Sequence, residues 1–213
     1  MGRPWFGGEL AFLTALLLAG STTMSSPALA GEDGFEPVRE DGGCAISGRP
    51  PEHEAKAALR ARCHWPDVEP ESLLSLVSDF GRYPSFVWPL KVSDVKRAEG
   101  DRSLVYQRQS VWPLADREVL LWMWSEPWSE GGTQVRWTAA TDESLEVDKG
   151  SIRVPRTDGH WAVRSHPDGG AWVEHQISMD GGGKIPKWLM DRIRARGFAQ
   201  VTLAARDRVL GVD

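Results

Sequence analysis

Long hydrophobic runs are scarce in this chain of 213 residues. Beyond residue 30 nothing approaches the roughly 18 consecutive apolar residues that a membrane-spanning helix needs. Cysteine is scarce too, with only Cys44 and Cys63, and neither lies at metal-ligand spacing from His160 or His166. A basic cluster is missing. The net charge is −5, and the densest positive run, Arg192–Arg196, reads as a solvated helix face, so nucleic acid is excluded as a partner. The chain has no G-x-S-x-G, no glycine-rich phosphate loop and no H-E-x-x-H, and so lacks the signatures of a nucleophile elbow, a nucleotide site or a zinc protease.

What is present begins with Met1–Ala30, which has the form of a secretory signal peptide. Arg3 gives a positive start, Leu10–Ala19 is a short apolar run, and Ala28-Leu29-Ala30 supplies a small-x-small cleavage pattern. Ser21 stands where a lipid-anchor cysteine would be needed. The expected product is exported, to the periplasm or beyond the cell, after cleavage near Ala30. In an oxidising compartment Cys44 and Cys63 read as one disulfide. Closing a loop of about 20 residues, it would contribute roughly 3 kcal/mol on chain-entropy arithmetic.

Three segments are expected: the signal peptide over 1–30, a flexible leader over 31–54 ordered only near Cys44, and one domain over 55–213. Within the domain, Ala55–Trp65 alternates as a first strand. Glu71–Phe80 is a short amphipathic helix stopped by Gly81, and Arg82–Trp88 a second helical turn ended by Pro89. Six strands follow: Lys91–Ala98, Ser103–Val111, Arg117–Trp124, Thr133–Ala140, Gly159–His166 and Ala171–Met179. A helix then runs from about Ile185 to Leu210. Met190, Ile193, Gly197, Val201 and Ala204 share one of its stripes. Gly197 and Ala204 leave room, either for large sheet side chains or for a ligand. Short turns between consecutive strands mean an antiparallel sheet, and one long helix must bury its stripe against it, giving an α+β domain.

Several motifs, in this order, resemble the START (steroidogenic-acute-regulatory-related lipid transfer) domains. They are Leu76-Val77-Ser78-Asp79-Phe80-Gly81-Arg82-Tyr83-Pro84, Trp112-Pro113-Leu114-Ala115-Asp116-Arg117-Glu118, Gly159-His160-Trp161, and Ser178-Met179-Asp180-Gly181-Gly182-Gly183-Lys184-Ile185-Pro186-Lys187-Trp188-Leu189. The last is similar to the family's D-P-G-G-x-I-P-x-W-L, with Gly181 where the family has Pro. Glu118 stands where Asp is more common. The resemblance covers about Ala55–Leu210. It implies the helix-grip fold shared with polyketide cyclases and birch-pollen-allergen-like proteins: a curved antiparallel sheet wrapped around a long C-terminal helix, with two short helices after the first strand. It also implies a hydrophobic tunnel between sheet and helix for a lipid, sterol or other apolar molecule, with no cofactor.

Eleven tryptophans supply large apolar rings with one donor each, suited to a core or to the wall of an apolar site. The expected lining is Trp122, Trp137, Trp161, His175, Arg117, Ile193, Gly197 and Val201. Arg117 reads more simply as one half of a surface cross-strand pair; turned inward it would need Glu118, Glu174 or a ligand anion. His175 alternates with Val173 and Ile177 and reads as an inward histidine with a partner. A monomeric carrier that meets a membrane only transiently is the leading expectation. A cyclase, aromatase or hydrolase using His175, Glu174 and Arg117 as acid or base is the alternative. A third reading is an interaction module whose exposed tryptophans meet a partner.

Overall fold

A computed structural model describes residues 34–50, 58–110, 114–141, 147–180 and 196–212. The segment read as a signal peptide, the Ile-Pro-x-Trp motif, Trp112, Ile193 and the start of the last helix lie outside the described residues.

The residues expected as a leader form a hairpin. Strand β1 (Glu36–Asp41) pairs with β2 (Cys44–Arg49), and β2 pairs with β3 (Ala58–Trp65). Few of these residues are large and apolar, which is why the stretch reads as loose. Its order comes from partners distant in sequence. Gly42 and Gly43 both take positive φ, 52° and 79°, the geometry of a tight hairpin turn that glycine adopts without strain. Cys44 lies directly opposite Cys63 and the disulfide joins them.

Helix α1 (Pro70–Ser78) opens with Pro at its start and Glu71 in its first turn, as the breaker pattern requires. It buries Leu73, Leu76 and Val77. A 3-10 helix (Phe80–Ser85) follows, and the Tyr83 hydroxyl donates to the Val77 carbonyl at 2.7 Å. Then come β4 (Leu90–Glu99), β5 (Arg102–Gln109), β6 (Arg117–Pro127), β7 (Thr133–Ala139), the two-residue β8 (Ile152–Arg153), β9 (Arg156–Ser165), β10 (Ala171–Asp180) and α2 (Phe198–Leu210). All six strands expected after the short helices are present. β8 was not legible, because two residues carry no periodicity.

One sheet takes the order β1-β2-β3-β10-β9-β7-β6-β5-β4. Every pairing on this path is antiparallel. β8 pairs parallel with the start of β6, beyond the end of the β6–β7 ladder. Both α1 and α2 pack on the same side of the sheet and against each other. That side carries the core: Ala61, Cys63, Val105, Val119, Leu121, Met123, Val135, Trp161 and Val173 are all buried there.

Helix α2 ends at Gly211, whose φ of 67° caps the last turn. It buries Phe198, Ala199, Thr202 and Ala205. This face is offset by one residue from the stripe of Gly197, Val201 and Ala204, which lie half-buried at its edge. With so few large side chains, the helix has a weak apolar direction of its own, and Phe198 sets the rotation by docking on the sheet.

Candidate functional site

The two faces of the sheet are assigned by alternation. On β10, Val173, His175 and Ile177 face the helices; Trp172, Glu174 and Gln176 face outward. Register places His175 between Ala61 on β3 and Trp161 on β9. The indole of Trp161 lies parallel to the imidazole, centroids 3.7 Å apart at 4°. Phe198, descending from α2, also stacks on it, at 4.6 Å and 20°. Ala61 is fully buried, and its small side chain leaves space for a ring brought by the helix. Trp137 completes the group at 6.2 Å and 52°. Gly159 makes room for Trp137: a Cβ there would lie 2.3 Å from the indole and 2.3 Å from the Gln176 carbonyl oxygen.

His175 is only 4% exposed. Its Nδ1 is 2.8 Å from Thr202 Oγ1, and the Thr202 hydroxyl donates to the Phe198 carbonyl at 2.9 Å. Burial, with a smaller contribution from His160, pushes its pKa well below the ordinary 6.5, so the ring is neutral at physiological pH. Beside this cluster the face is incompletely covered: Leu59, Ile177 and Val201 pack on the core yet remain half-buried. The result is an aromatic-walled site with one hydrogen-bonded imidazole, set under the first described turn of α2.

The outer face is built differently. Trp122 does not line the helix-facing site. It is half-buried on the outer side, with the Arg97 guanidinium 5.5 Å from its ring. The reason is the phase of β6: Val119, Leu121 and Met123 take the core face, so Trp122 and Trp124 take the other. Trp124 meets Arg102 and Arg136, and Trp128 stacks on Trp172 at 5.1 Å, with Arg164 beside both.

Glu174 also lies outside. It accepts from Arg62 at 2.6 Å and pairs with His160 at 2.9 Å. Burial alone would raise its pKa, but these two bonds outweigh burial and hold the carboxyl below its usual range. Arg117 is buried, at 8% exposure, rather than on the surface. By the phase of β6 it faces inward at the strand's entry, where Nη1 donates to the Ala115 carbonyl at 2.5 Å and Nε has no partner among the described residues. It pairs with neither Glu174 nor Glu118. The three candidate acid–base groups therefore do not converge: His175 faces inward, Glu174 outward, and Arg117 stands at the far end of another strand.

Glu118, read from the sequence only as a candidate partner of Arg117, anchors a cluster that sequence reasoning missed. Fully buried on the outer side, it accepts from Arg153 Nε at 3.0 Å and Nη2 at 2.7 Å, from the Tyr106 hydroxyl at 3.2 Å and from the Asp148 amide at 3.1 Å. Burial first, then the negative charge of Glu118 and the hydrogen bond to Asp148, push Tyr106 up to about 12. The cluster ties residues 147–153 onto β6 through Glu118. Phe198 and Thr202 were missed as well, although an aromatic followed four residues later by a threonine on one helix face was the available signal. An open groove of about 910 Å³ beside the hairpin is lined by Glu40, Asp41, Arg62, His64, His166 and Trp172 among others. Its charged lining separates it from the apolar site.

No family model matches the chain. An uncharacterized protein of Pseudomonas aeruginosa is 31% identical over 94 residues, 44% of this chain and 46% of that protein, so the match spans less than half the length of this curated relative. Among solved structures, a STAR-related lipid transfer protein from Xanthomonas axonopodis superposes with a TM-score of 0.72 at 22% identity, covering 83% of this chain and 99% of that one. Human StAR-related lipid transfer protein 5 gives 0.71 at 14% identity, covering 83% and 88%. The Zhui aromatase/cyclase from Streptomyces gives 0.52 at 8% identity, covering 72% and 91%. The architecture implied by the START resemblance, an antiparallel sheet gripping a C-terminal helix, is the architecture of this chain.

Proposed function

We propose that this chain, which has the helix-grip fold of the START domains, is an exported carrier of a hydrophobic molecule held between the sheet and the C-terminal helix. The observation that carries the reading is the Trp137–Trp161–Phe198 wall around a single neutral imidazole on the helix-facing side. Apolar walls with one polar point bind by enclosure and orient by that point. Burial of ligand surface supplies roughly 25 cal/mol per Å² before the costs of association. No cofactor is needed. The lipid-transfer names of the similar Xanthomonas and human proteins support the ligand class. Export rests on the apolar run at Leu10–Ala19, the Ala28-Leu29-Ala30 pattern and the Cys44–Cys63 disulfide, which persists in an oxidising compartment such as the periplasm. The carrier acts as a monomer and touches a membrane only to load or unload.

The similar aromatase/cyclase keeps an enzymatic reading in view, but only His175 of its three candidate groups lies in the site. Native mass spectrometry of the protein purified from an exported preparation, followed by solvent extraction, tests the carrier reading. A stoichiometric apolar adduct is expected. Protein that is clean and takes up no lipid on incubation overturns it.

A further inference from the structure

The aromatic wall carries no charge, yet the face it belongs to does. On β3, β5, β6, β7, β9 and β10 the helix-facing positions, assigned by alternation and register, hold one ionised side chain among the described residues, Arg117. It is 8% exposed. A guanidinium has five N–H donors. Among the described residues one of them is used, from Nη1 to the Ala115 carbonyl at 2.5 Å. The neighbouring acids are committed on the outer side, Glu118 to Arg153 and Asp116 to Arg108. A bare Nε by itself means little: Arg108 has one too, but pairs with Asp148 at 3.1 Å. What sets Arg117 apart is that no carboxylate among the described residues meets it. A guanidinium keeps its charge on burial, where a lysine or a carboxyl group can give it up. A buried charge without a counter-ion is costly. Directly opposite on β5 stands Gln109, half-buried, with no partner for its side-chain amide among the described residues. Gln107, on the same face, is satisfied by donating to Ser93 Oγ at 3.2 Å. The open donors on this face are therefore those of Arg117 and Gln109.

We infer that Arg117 is the anion end of the site and takes the carboxylate of a long-chain amphiphile, with the Gln109 amide donating beside it. A carboxylate matches the planar fork of a guanidinium and accepts two N–H bonds at once. Its single negative charge balances the single cation. A phosphate monoester brings a charge of about −2 at neutral pH, and no second cation answers it among the helix-facing residues of these strands. From Arg117 the same face of β6 continues through Val119, Leu121 and Met123, all buried, so a hydrocarbon chain leaves the charge along an apolar lane. That lane leads toward the aromatic wall. The row of His175 crosses Trp161 on β9 and Val135 on β7 and reaches β6 at Ser125. Ser125 lies eight residues along β6 from Arg117, or about 26 Å of strand. Charge thus reads one end of the ligand and apolar packing the other.

The inference rests on the carrier reading, and the experiment separates the two. The probes are hexadecanoate, hexadecan-1-ol and hexadecyl phosphate, titrated by quenching of tryptophan fluorescence. Hexadecanoate should bind the wild-type chain about tenfold more tightly than either of the others. Carbon-13 NMR of carboxyl-labelled hexadecanoate gives a second reading: beside a cation the bound carboxyl should stay ionised to a lower pH than that of the unbound acid. Arg117→Gln should weaken hexadecanoate about tenfold and leave the alcohol unchanged, and Arg117→Lys should recover part of the loss. Equal binding of hexadecanoate and alcohol to wild type, or a bound carboxyl that titrates no lower than the free one, overturns the inference and leaves the carrier reading intact. So does Arg117→Gln weakening both ligands alike, which would make the arginine a structural residue. Tighter binding of the phosphate overturns the assignment to a carboxylate. Uptake of none of the three probes removes the carrier reading and the inference with it. The ligand comparison and the carboxyl titration use the wild-type chain, so they hold even if a variant does not fold.

Discussion

The two faces of one sheet carry the same residue type to opposite ends. Trp161, facing the helices, is 1% exposed and stacked on His175. Trp122, facing outward, is half-buried beneath an arginine. Both sit mid-strand in alternating sequence, and both look equally suited to lining a cavity. The difference lies in what covers them. The inner face is closed by α1 and α2, which bring apolar side chains; around Trp122 and Trp124 the outer face is left to guanidinium groups, whose planes cover indoles while their charge stays wet. A tryptophan thus marks a site only where a second layer of structure faces it.

The sharpest test of this contrast is truncation on the inner face. Trp161→Ala removes the ring stacked on His175 and should cost about 3–5 kcal/mol, since a cavity of that size cannot close. Urea unfolding measures it, with the midpoint expected to fall sharply. A small shift would mean the inner face is loosely packed and the contrast is wrong.

Glu118, like Leu104 and Leu120, is fully buried on the outer face, and it sharpens the rule. Glu118→Gln leaves Arg153 and the Asp148 amide facing a poorer acceptor, and should cost on the order of 3 kcal/mol as a broken buried pair. Amide exchange should speed up selectively over residues 147–153. Uniform acceleration would place the damage elsewhere.

Cleaving the Cys44–Cys63 bond, as in a Cys44→Ser/Cys63→Ser variant, should cost roughly 3 kcal/mol. The hairpin it staples touches α2. The Gly42 carbonyl accepts from Trp65 Nε1 at 3.0 Å and from Arg206 Nη1 at 3.1 Å. Exchange should therefore rise in the last turns of α2 more than in β5. Equal protection in both would detach the hairpin from the helix.

Acid separates the faces by pH. His175 has its folded pKa depressed below the ordinary 6.5, so the unfolded chain binds the proton more readily. Its stability contribution is complete above pH 6.5 and is lost as pH falls from there toward the depressed value, with a limiting slope of about 1.4 kcal/mol per pH unit. Glu174 on the outer face also has a depressed pKa, from 4.5. Its contribution survives to pH 4.5 and is lost only below that. Chemical denaturation from pH 7 to 5 should show a loss that His175→Phe abolishes and Glu174→Gln leaves in place.

The smallest effect belongs to Trp122→Ala, which should cost under about 1 kcal/mol beyond the lost surface contact with Arg97. A loss matching that of Trp161→Ala would make the two faces equivalent.

Local signals carried much of this architecture. Period-two alternation marked the six strands from β4 onward apart from β8, and the Pro and Gly breakers bounded α1. Two cysteines in a segment read as exported marked the disulfide. An inward His175 followed from its phase with Val173 and Ile177. Each of these depends on neighbours within a few residues, and so is written in the chain itself.

The remainder depended on partners far apart in sequence. The hairpin over 36–49 is ordered by pairing with β3 and by docking on α2. The buried environment of Glu118 comes from a segment some thirty residues later that folds back over it. The rotation of α2 is set by Phe198 meeting an imidazole on β10. The face taken by Trp122 was legible as a period but not as a direction, because alternation states that two faces differ and only the second layer states which one is covered. Tertiary structure alone made that choice, through the burial of apolar area that no single strand can arrange for itself.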